Sequence, residues 1–281
     1  MSDTATPYKR RPKSVKGMEF RQQPDGSYAL VAATADQIAN GDRKKLSISV
    51  AHQVEQCPAA QLAKNNIPRQ SDPFAANELG SGAHDTLEHV YLLPRGKRDE
   101  DAFDRYTLDV ADRVWSEKKL LDLYPPSVEA NRELKAKWLE IVSTWAKRIA
   151  LMEDPNEIDV VGTEIELDGV MTSNGVLSTG KIDRLRRLDS GFLVIEDYKF
   201  GVWKGEPNPK FQDGYKEQQH LYLDLYFQMT GERAVGMEIL YPRHPHRRII
   251  DFKQAEFDQT LVNFKHARTE LDGYAATGVF P

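Results

Sequence analysis

Cysteine is almost absent from this chain. Cys57 is the only one in 281 residues, so no internal disulfide and no multi-cysteine metal cluster can form from the chain alone. No apolar run approaches the roughly 20 residues that a membrane helix requires. The opening stretch MSDTATPYKRRPKSVKG lacks the apolar segment of a secretory signal. These absences predict a cytoplasmic protein without a membrane anchor. Internal repeats and low-complexity tracts are missing too, which excludes repeat architectures. Nor is one sign of charge in excess: 38 Lys and Arg stand against 43 Asp and Glu, for a net charge of −5. That excludes a polycation of histone type but leaves room for local basic patches. Three occur, at residues 9–16, 184–187 and 243–248, and each reads equally well as solvated charge at a tail or turn.

What the chain does have is an ordinary globular composition, 40% hydrophobic and 29% charged, enough for a real core. Residues 1–20 are basic, contain Pro7 and Pro12, and read as a flexible arm. From there the chain reads as a single domain over 21–281, with a helical part at about 47–152 and a sheet-bearing part at about 158–281. Helices are predicted at 47–57, where Pro58 interrupts, at 72–91 after a small-residue entry at Gly80 and Gly82, and at 102–121. Another is predicted at 127–152, where Leu134, Trp138, Ile141, Trp145 and Ile149 recur at helical spacing. After Pro155 the period shortens, and strands are predicted at 158–167, 175–188, 192–200, 234–241 and 247–252. Helices at 213–230 and 254–276 complete an α/β (α+β) plan: a small sheet with helices packed on it and a helical region before it.

The strands 175–188 and 192–200 read as a hairpin closed by Asp189, Ser190 and Gly191, with glycine where a left-handed residue is usual. Pairing Leu188 with Phe192 sets Asp183 opposite Asp197, Lys181 opposite Lys199, and Arg184 opposite Glu196 on the other surface. Arg184 with Glu196 is a favourable cross-strand pair, whereas two aspartates with Cβ atoms about 5 Å apart repel. A fold tolerates that repulsion if one acid is protonated, if lysines neutralise it, or if a cation lies between them. Hard divalent ions take carboxylate oxygens of this kind. An exposed hairpin edge with Lys181 and Lys199 as counter-charges is the plainer alternative.

The run Gly180, Asp183, Arg184, followed by Asp197, Tyr198, Lys199 and Gly201, resembles the G-x-h-D-R and h-D-Y-K-x-G signature of RecB-like nucleases, in the PD-(D/E)XK superfamily. Two further elements resemble that family in the same order. Gly80, His84 and Glu88 match a helical G-x-x-x-H-x-x-x-E element. Gln218 and Tyr222 match Q-x-x-x-Y on the helix after the Asp-x-Lys strand. Ser47, Ser49, Cys57 and Pro58 resemble the family's entry helix. The three later cysteines of cluster-bearing relatives have no counterpart, so no iron–sulfur cluster is expected. A phosphate loop of helicase type is absent as well, which suggests a stand-alone nuclease.

The resemblance implies a restriction-endonuclease-like core and a metal-dependent deoxyribonuclease, most simply an exonuclease of recombination or repair in a bacterial or phage setting. It implies one or two Mg²⁺ or Mn²⁺ ions held by His84, Asp183, Asp197 and the main-chain carbonyl of Tyr198. Lys199 would orient or deprotonate the attacking water, Gln218 and Tyr222 would position the strand, and Glu164 would serve as an outer acid or a ligand of a second ion. DNA is the implied partner, with a recombination or single-strand-binding protein as a further one. Trp203, just past the motif, reads either as a base-stacking residue or as an ordinary strand-end tryptophan. His220 lies out of phase with the Gln218 and Tyr222 face and reads as incidental. A catalytically inactive nucleic-acid-binding protein on the same fold is the alternative reading.

Overall fold

The hydrophobic period changes in the three-dimensional structure where it changes in the sequence. The structure, a computed structural model, describes residue 15 and residues 17–67, 72–116, 128–206 and 213–281. It opens with a hairpin of β1 (Met18–Gln22) and β2 (Tyr28–Ala32). Among the described residues six helices follow: α1 (Ala35–Asp42), α2 (Ile48–Gln56), α3 (Pro58–Asn66), α4 (Ala76–Leu92), α5 (Glu100–Ser116) and α6 (Val128–Lys147). Next come β3 (Asp159–Glu166), β4 (Val170–Met171), β5 (Leu177–Ser178), β6 (Lys181–Arg187) and β7 (Leu193–Tyr198). Helix α7 (Gly214–Thr230) leads to β8 (Ala234–Tyr241) and β9 (His246–Ile249), and α8 (Gln254–Thr277) leads to β10 (Val279–Phe280).

Local chemistry explains where these helices start and stop. Ser47 caps α2 by accepting from the Val50 N–H, and Pro58 occupies the first turn of α3, where its missing N–H costs nothing. Asp213 accepts from Lys216 N–H at the start of α7, and Gly231, at φ 75°, ends it in the left-handed conformation.

The main sheet has the order β3-β6-β7-β8-β9. Its neighbours are antiparallel except β7 and β8, which run parallel and therefore need the long connection that α7 provides. Side chains alternate across β7, so each face builds its own core. Leu193 and Ile195 join a cluster with Leu221 and Leu225 of α7, Phe264 of α8 and Val54 of α2. Tyr198 and Phe200 join a second cluster with Leu87 of α4, Phe103 of α5 and Trp138 of α6. The predicted small mixed sheet flanked by helices is what the chain forms.

Three expectations change. The run 175–188 is not one strand: Leu177 and Ser178 pair with β4, and Ser178 also bridges to Leu46, so only Lys181 onward joins the main sheet. Gly80 and Gly82 lie inside α4 rather than at its entry: Gly80 faces the Phe200 side chain just past β7, and Gly82 faces α6. A Cβ on Gly82 would come within 2.6 Å of the Trp138 ring. The arm expected over 1–20 ends in structure: Met18 begins β1, and β2 pairs on its other side with β10 near the far end of the chain. Residues 1–14 and 16 of that arm, with most of the basic patch at 9–16, lie outside the described residues, as do residues 117–121 of the helix expected to run to 121 and Pro125 and Pro126.

Candidate metal centre and active site

Hairpin register positions the acids. In the β6–β7 ladder Arg184 pairs with Glu196, Leu185 with Ile195 and Arg187 with Leu193. The loop closes with Leu188 N–H donating to the Phe192 carbonyl at 2.8 Å. This is the register expected from the sequence, and one step beyond its last pair Asp183 stands across from Asp197. There the strands part. Tyr198 N–H donates to Asp183 Oδ2 at 2.7 Å, while Lys199 N–H turns to the Leu240 carbonyl of β8 at 2.8 Å. Lys181 instead pairs with Glu166 of β3, and its ammonium lies 2.5 Å from a carboxylate oxygen of Glu164. The expected juxtaposition of Lys181 with Lys199 therefore does not form, because each residue follows the strand on its other side.

The repulsion between the acids is met by two cationic or cation-capable groups. Lys199 Nζ lies 2.5 Å from Asp197 Oδ2, and His84 Nδ1 lies 3.5 Å from Asp183 Oδ2. Burial, and then the charge of Asp197, push the Asp183 carboxyl up to about 6. Burial works against the Lys199 ammonium, but Asp197 and Asp183 outweigh it and hold its pKa above the ordinary lysine value.

His84 arrives from the helical layer. Close contact of α4 with α6 at Gly82 fixes the helix two residues before it. Its ring packs edge-on against Tyr198 and Phe200, with centroids 5.7 and 5.3 Å away. Glu88, one turn on, has its carboxyl pushed up by burial and by Glu164. Glu164 comes from β3. The pairs Thr163–Arg184 and Ile165–Ile182 flank it and set it across from Asp183. Its φ of 49° is a left-handed conformation that non-glycine residues rarely adopt. His84, Glu164 and Asp183 each offer one ligand atom, and all three atoms lie within 4.8 Å of one another.

The expected ligand set is thus rearranged rather than simply reproduced. Glu164, read from the sequence only as an outer acid or second-ion ligand, joins His84 and Asp183 in the cluster. Asp197 lies beside it, turned to Lys199, and its buried Oδ2 has no aligned hydrogen-bond donor. Tyr198 enters through its main chain; its ring lies toward the other face, 5.5 Å from the Arg184 guanidinium. One imidazole nitrogen and two carboxylate oxygens, with the Asp197 carboxylate beside them, make a donor set that fits Mg²⁺ or Mn²⁺, the nitrogen favouring Mn²⁺.

Gln218 and Tyr222 stand on α7, where Gln218 Nε2 donates to the Tyr222 hydroxyl at 2.8 Å. The Tyr222 ring packs over Gly180, where a Cβ would come within 2.7 Å of it. Burial, and then Asp197, push the Tyr222 phenol up to about 12. His220 is a core residue, its Nδ1 2.9 Å from Thr260 Oγ1, and burial pushes its pKa down.

Two of the basic patches dissolve into internal ion pairs. Arg184 and Arg186 bond Glu196 at 2.6 and 2.7 Å, and Arg247 reaches Glu153 and Glu238 at 2.6 and 2.5 Å. Arg248 pairs with Glu206 and Asp213, and Arg243 lies over the Trp145 ring. Sequence reasoning found the Arg184–Glu196 pair but missed Glu153, which no local pattern marks. It also missed Tyr215, whose ring lies 5.1 Å from Lys199 Nζ.

A mixed sheet between helical layers, with clustered acids and an Asp-x-Lys strand at one end of the β6–β7 hairpin, is an architecture of the restriction-endonuclease type with a candidate divalent-ion site. The profile of the PD-(D/E)XK nuclease superfamily matches residues 45–280, and the chain belongs to that superfamily. Membership implies a hydrolase of phosphodiester bonds, and such nucleases generally use Mg²⁺ or Mn²⁺. No curated protein matches the chain. Among the described residues, no helix is long and apolar enough to cross a membrane.

Proposed function

We propose that this protein is a RecB-like deoxyribonuclease, an exonuclease acting in DNA recombination or repair in the cytoplasm of a bacterial or phage-infected cell. The observation that carries the reading is the convergence of His84, Glu164 and Asp183 beside the Asp197–Lys199 ion pair. We assign residues 18–281 to one nuclease domain.

His84, Asp183 and Glu164 would hold a divalent ion, with Asp197 and the Tyr198 carbonyl completing its surroundings. When bound, the ion supplies charge stabilisation at the scissile phosphate and lowers the pKa of a coordinated water. Lys199, held protonated by its two aspartate neighbours, donates a hydrogen bond to the phosphate or the attacking water and offsets developing negative charge. That role suits its raised pKa better than proton abstraction. Gln218 orients the Tyr222 hydroxyl, and the pair positions the strand from α7.

The test is a time course on end-labelled single- and double-stranded DNA with Mn²⁺, run beside Lys199→Ala. The expected result is metal-dependent loss of mononucleotides from ends, with kcat about 10²–10³-fold lower in the variant. Products of internal length would replace the exonuclease assignment with endonuclease action. Wild-type rates in the variant would end the proposal.

A further inference from the structure

Beyond the cation site the chain carries an aromatic slot. After β7 the backbone passes Gly201, Val202, Trp203, Lys204 and Gly205, and these residues enclose a cavity of about 380 Å³ with Tyr215 at the start of α7 and Tyr241 at the end of β8. That volume lies within the roughly 300–1,000 Å³ of small-ligand sites. Trp203 is fixed in place. His246 stacks on its indole at 4.2 Å and 19°, Tyr241 lies 4.9 Å away, and the ring packs against the apolar cluster of Met237, Ile239 and Ile250. Tyr215, in contrast, is exposed, its side of the slot open to solvent.

We infer that this slot is a nucleobase subsite, taking a base of the DNA strand next to the scissile phosphate; the inference rests on the nuclease reading above. Three observations support that occupant. First, the slot is continuous with the catalytic residues, since Lys199 Nζ lies 2.5 Å from Asp197 and 5.1 Å from the Tyr215 ring. A phosphate and its base are separated by one sugar, so a phosphate held at Lys199 delivers a neighbouring base to the slot. Second, the walls are aromatic faces, on which any base can stack, and among the described residues the lining includes no carboxylate that would repel the backbone. Third, Lys199 and the exposed Lys204 flank the slot with positive charge, complementary to a phosphodiester strand. The subsite therefore reads bases by stacking and tolerates any sequence.

Binding, rather than turnover, gives the decisive readout. The dissociation constant of a thymidine 12-mer is compared with that of an abasic 12-mer of the same backbone, with Ca²⁺ replacing Mn²⁺. Wild type should bind the base-bearing strand at least about tenfold more tightly. Tyr215→Ala should bring that ratio close to one, and Tyr215→Phe should keep it. Tyr215 is exposed, so its replacement does not endanger the fold; Trp203→Ala, checked first for an unchanged melting temperature, should act in the same direction. A ratio near one in wild type, or an unchanged ratio in Tyr215→Ala, overturns the inference. A protein that shows the ratio but cleaves nothing with Mn²⁺ refutes the nuclease proposal and leaves the base subsite standing.

Discussion

Asp183 carries two opposed demands. It accepts a hydrogen bond from Tyr198 N–H, which favours the carboxylate, yet burial and Asp197 favour the protonated form and prevail. Its pKa in the metal-free fold is raised to about 6, against about 3.9 in an unfolded chain. The folded state therefore binds more protons than the unfolded one between those values. Stability contributed by this group is full below pH about 4 and is lost as pH rises through about 6. Replacing the acid with its neutral isostere removes that loss. Asp183→Asn should be more stable than wild type in EDTA at pH 8, by on the order of 1–2 kcal/mol, while losing the stabilisation that Mn²⁺ gives wild type. In wild type the Mn²⁺-induced rise in melting temperature should be small at pH 5 and reach its plateau above pH 7, because protons and the ion compete for one carboxylate. A pH-independent shift would show that Asp183 is not a ligand.

At the scale of elements, the part of the site legible in the sequence is the part that depends on short-range rules. Gly191, at φ 86°, closes a tight hairpin, and the closing pair then sets each cross-strand partner up to Asp183. The i to i+4 spacing of His84 and Glu88 on α4 was equally local. Glu164 was legible only as an outer acid or a second-ion ligand, not as a neighbour of both His84 and Asp183, because its place depends on an irregularity: the β3–β6 register shifts by one residue between Val160 and Gly162, and a one-residue shift reverses which face each side chain takes. The sheet of β1, β2 and β10 was missed for a related reason, since it joins residues near both ends of the chain. The run 175–188 misled because a continuous β-like pattern does not reveal which neighbour each half pairs with. Glu164 now offers a test of element-level strain. At φ 49° a β-carbon is disfavoured, so Glu164→Gly should be more stable than Glu164→Ala by about 1 kcal/mol in chemical denaturation, although glycine normally destabilises a strand. Both variants should bind Mn²⁺ more weakly than wild type. The reverse order of stabilities would mean that the backbone there is not held left-handed.

For the whole molecule, the question is what holds His84 on a helix against Asp183 on a sheet. Glu153, just beyond α6, bonds both Nη atoms of Arg184 at 2.5 and 3.0 Å, Arg247 Nη2 of β9 at 2.6 Å, and the Tyr91 hydroxyl of α4 at 2.5 Å. Arg184 adjoins Asp183 in sequence, and Tyr91 lies two turns beyond His84 on the same helix. One carboxylate thus ties together the two elements that bring ligands to the centre. The charges around it balance, Glu153, Glu196 and Glu238 against Arg184, Arg186 and Arg247, and burial of Arg184 is complete. Removing one partner from such a network leaves a buried charge uncompensated, which costs about 3–5 kcal/mol, more than the pair contributes relative to an apolar replacement. Glu153→Ala should accordingly lower the unfolding free energy read from urea titration by that amount. General destabilisation is controlled by Leu30→Ala, a cavity in the buried strand β2 expected to cost about 2–5 kcal/mol. If Glu153 aligns the two layers, its loss weakens Mn²⁺ affinity under native conditions while Leu30→Ala, equally destabilised, keeps it. Equal Mn²⁺ affinities in the two variants would mean that packing of α4 on α6 alone fixes His84, and that the ion-pair network serves stability without reaching the site.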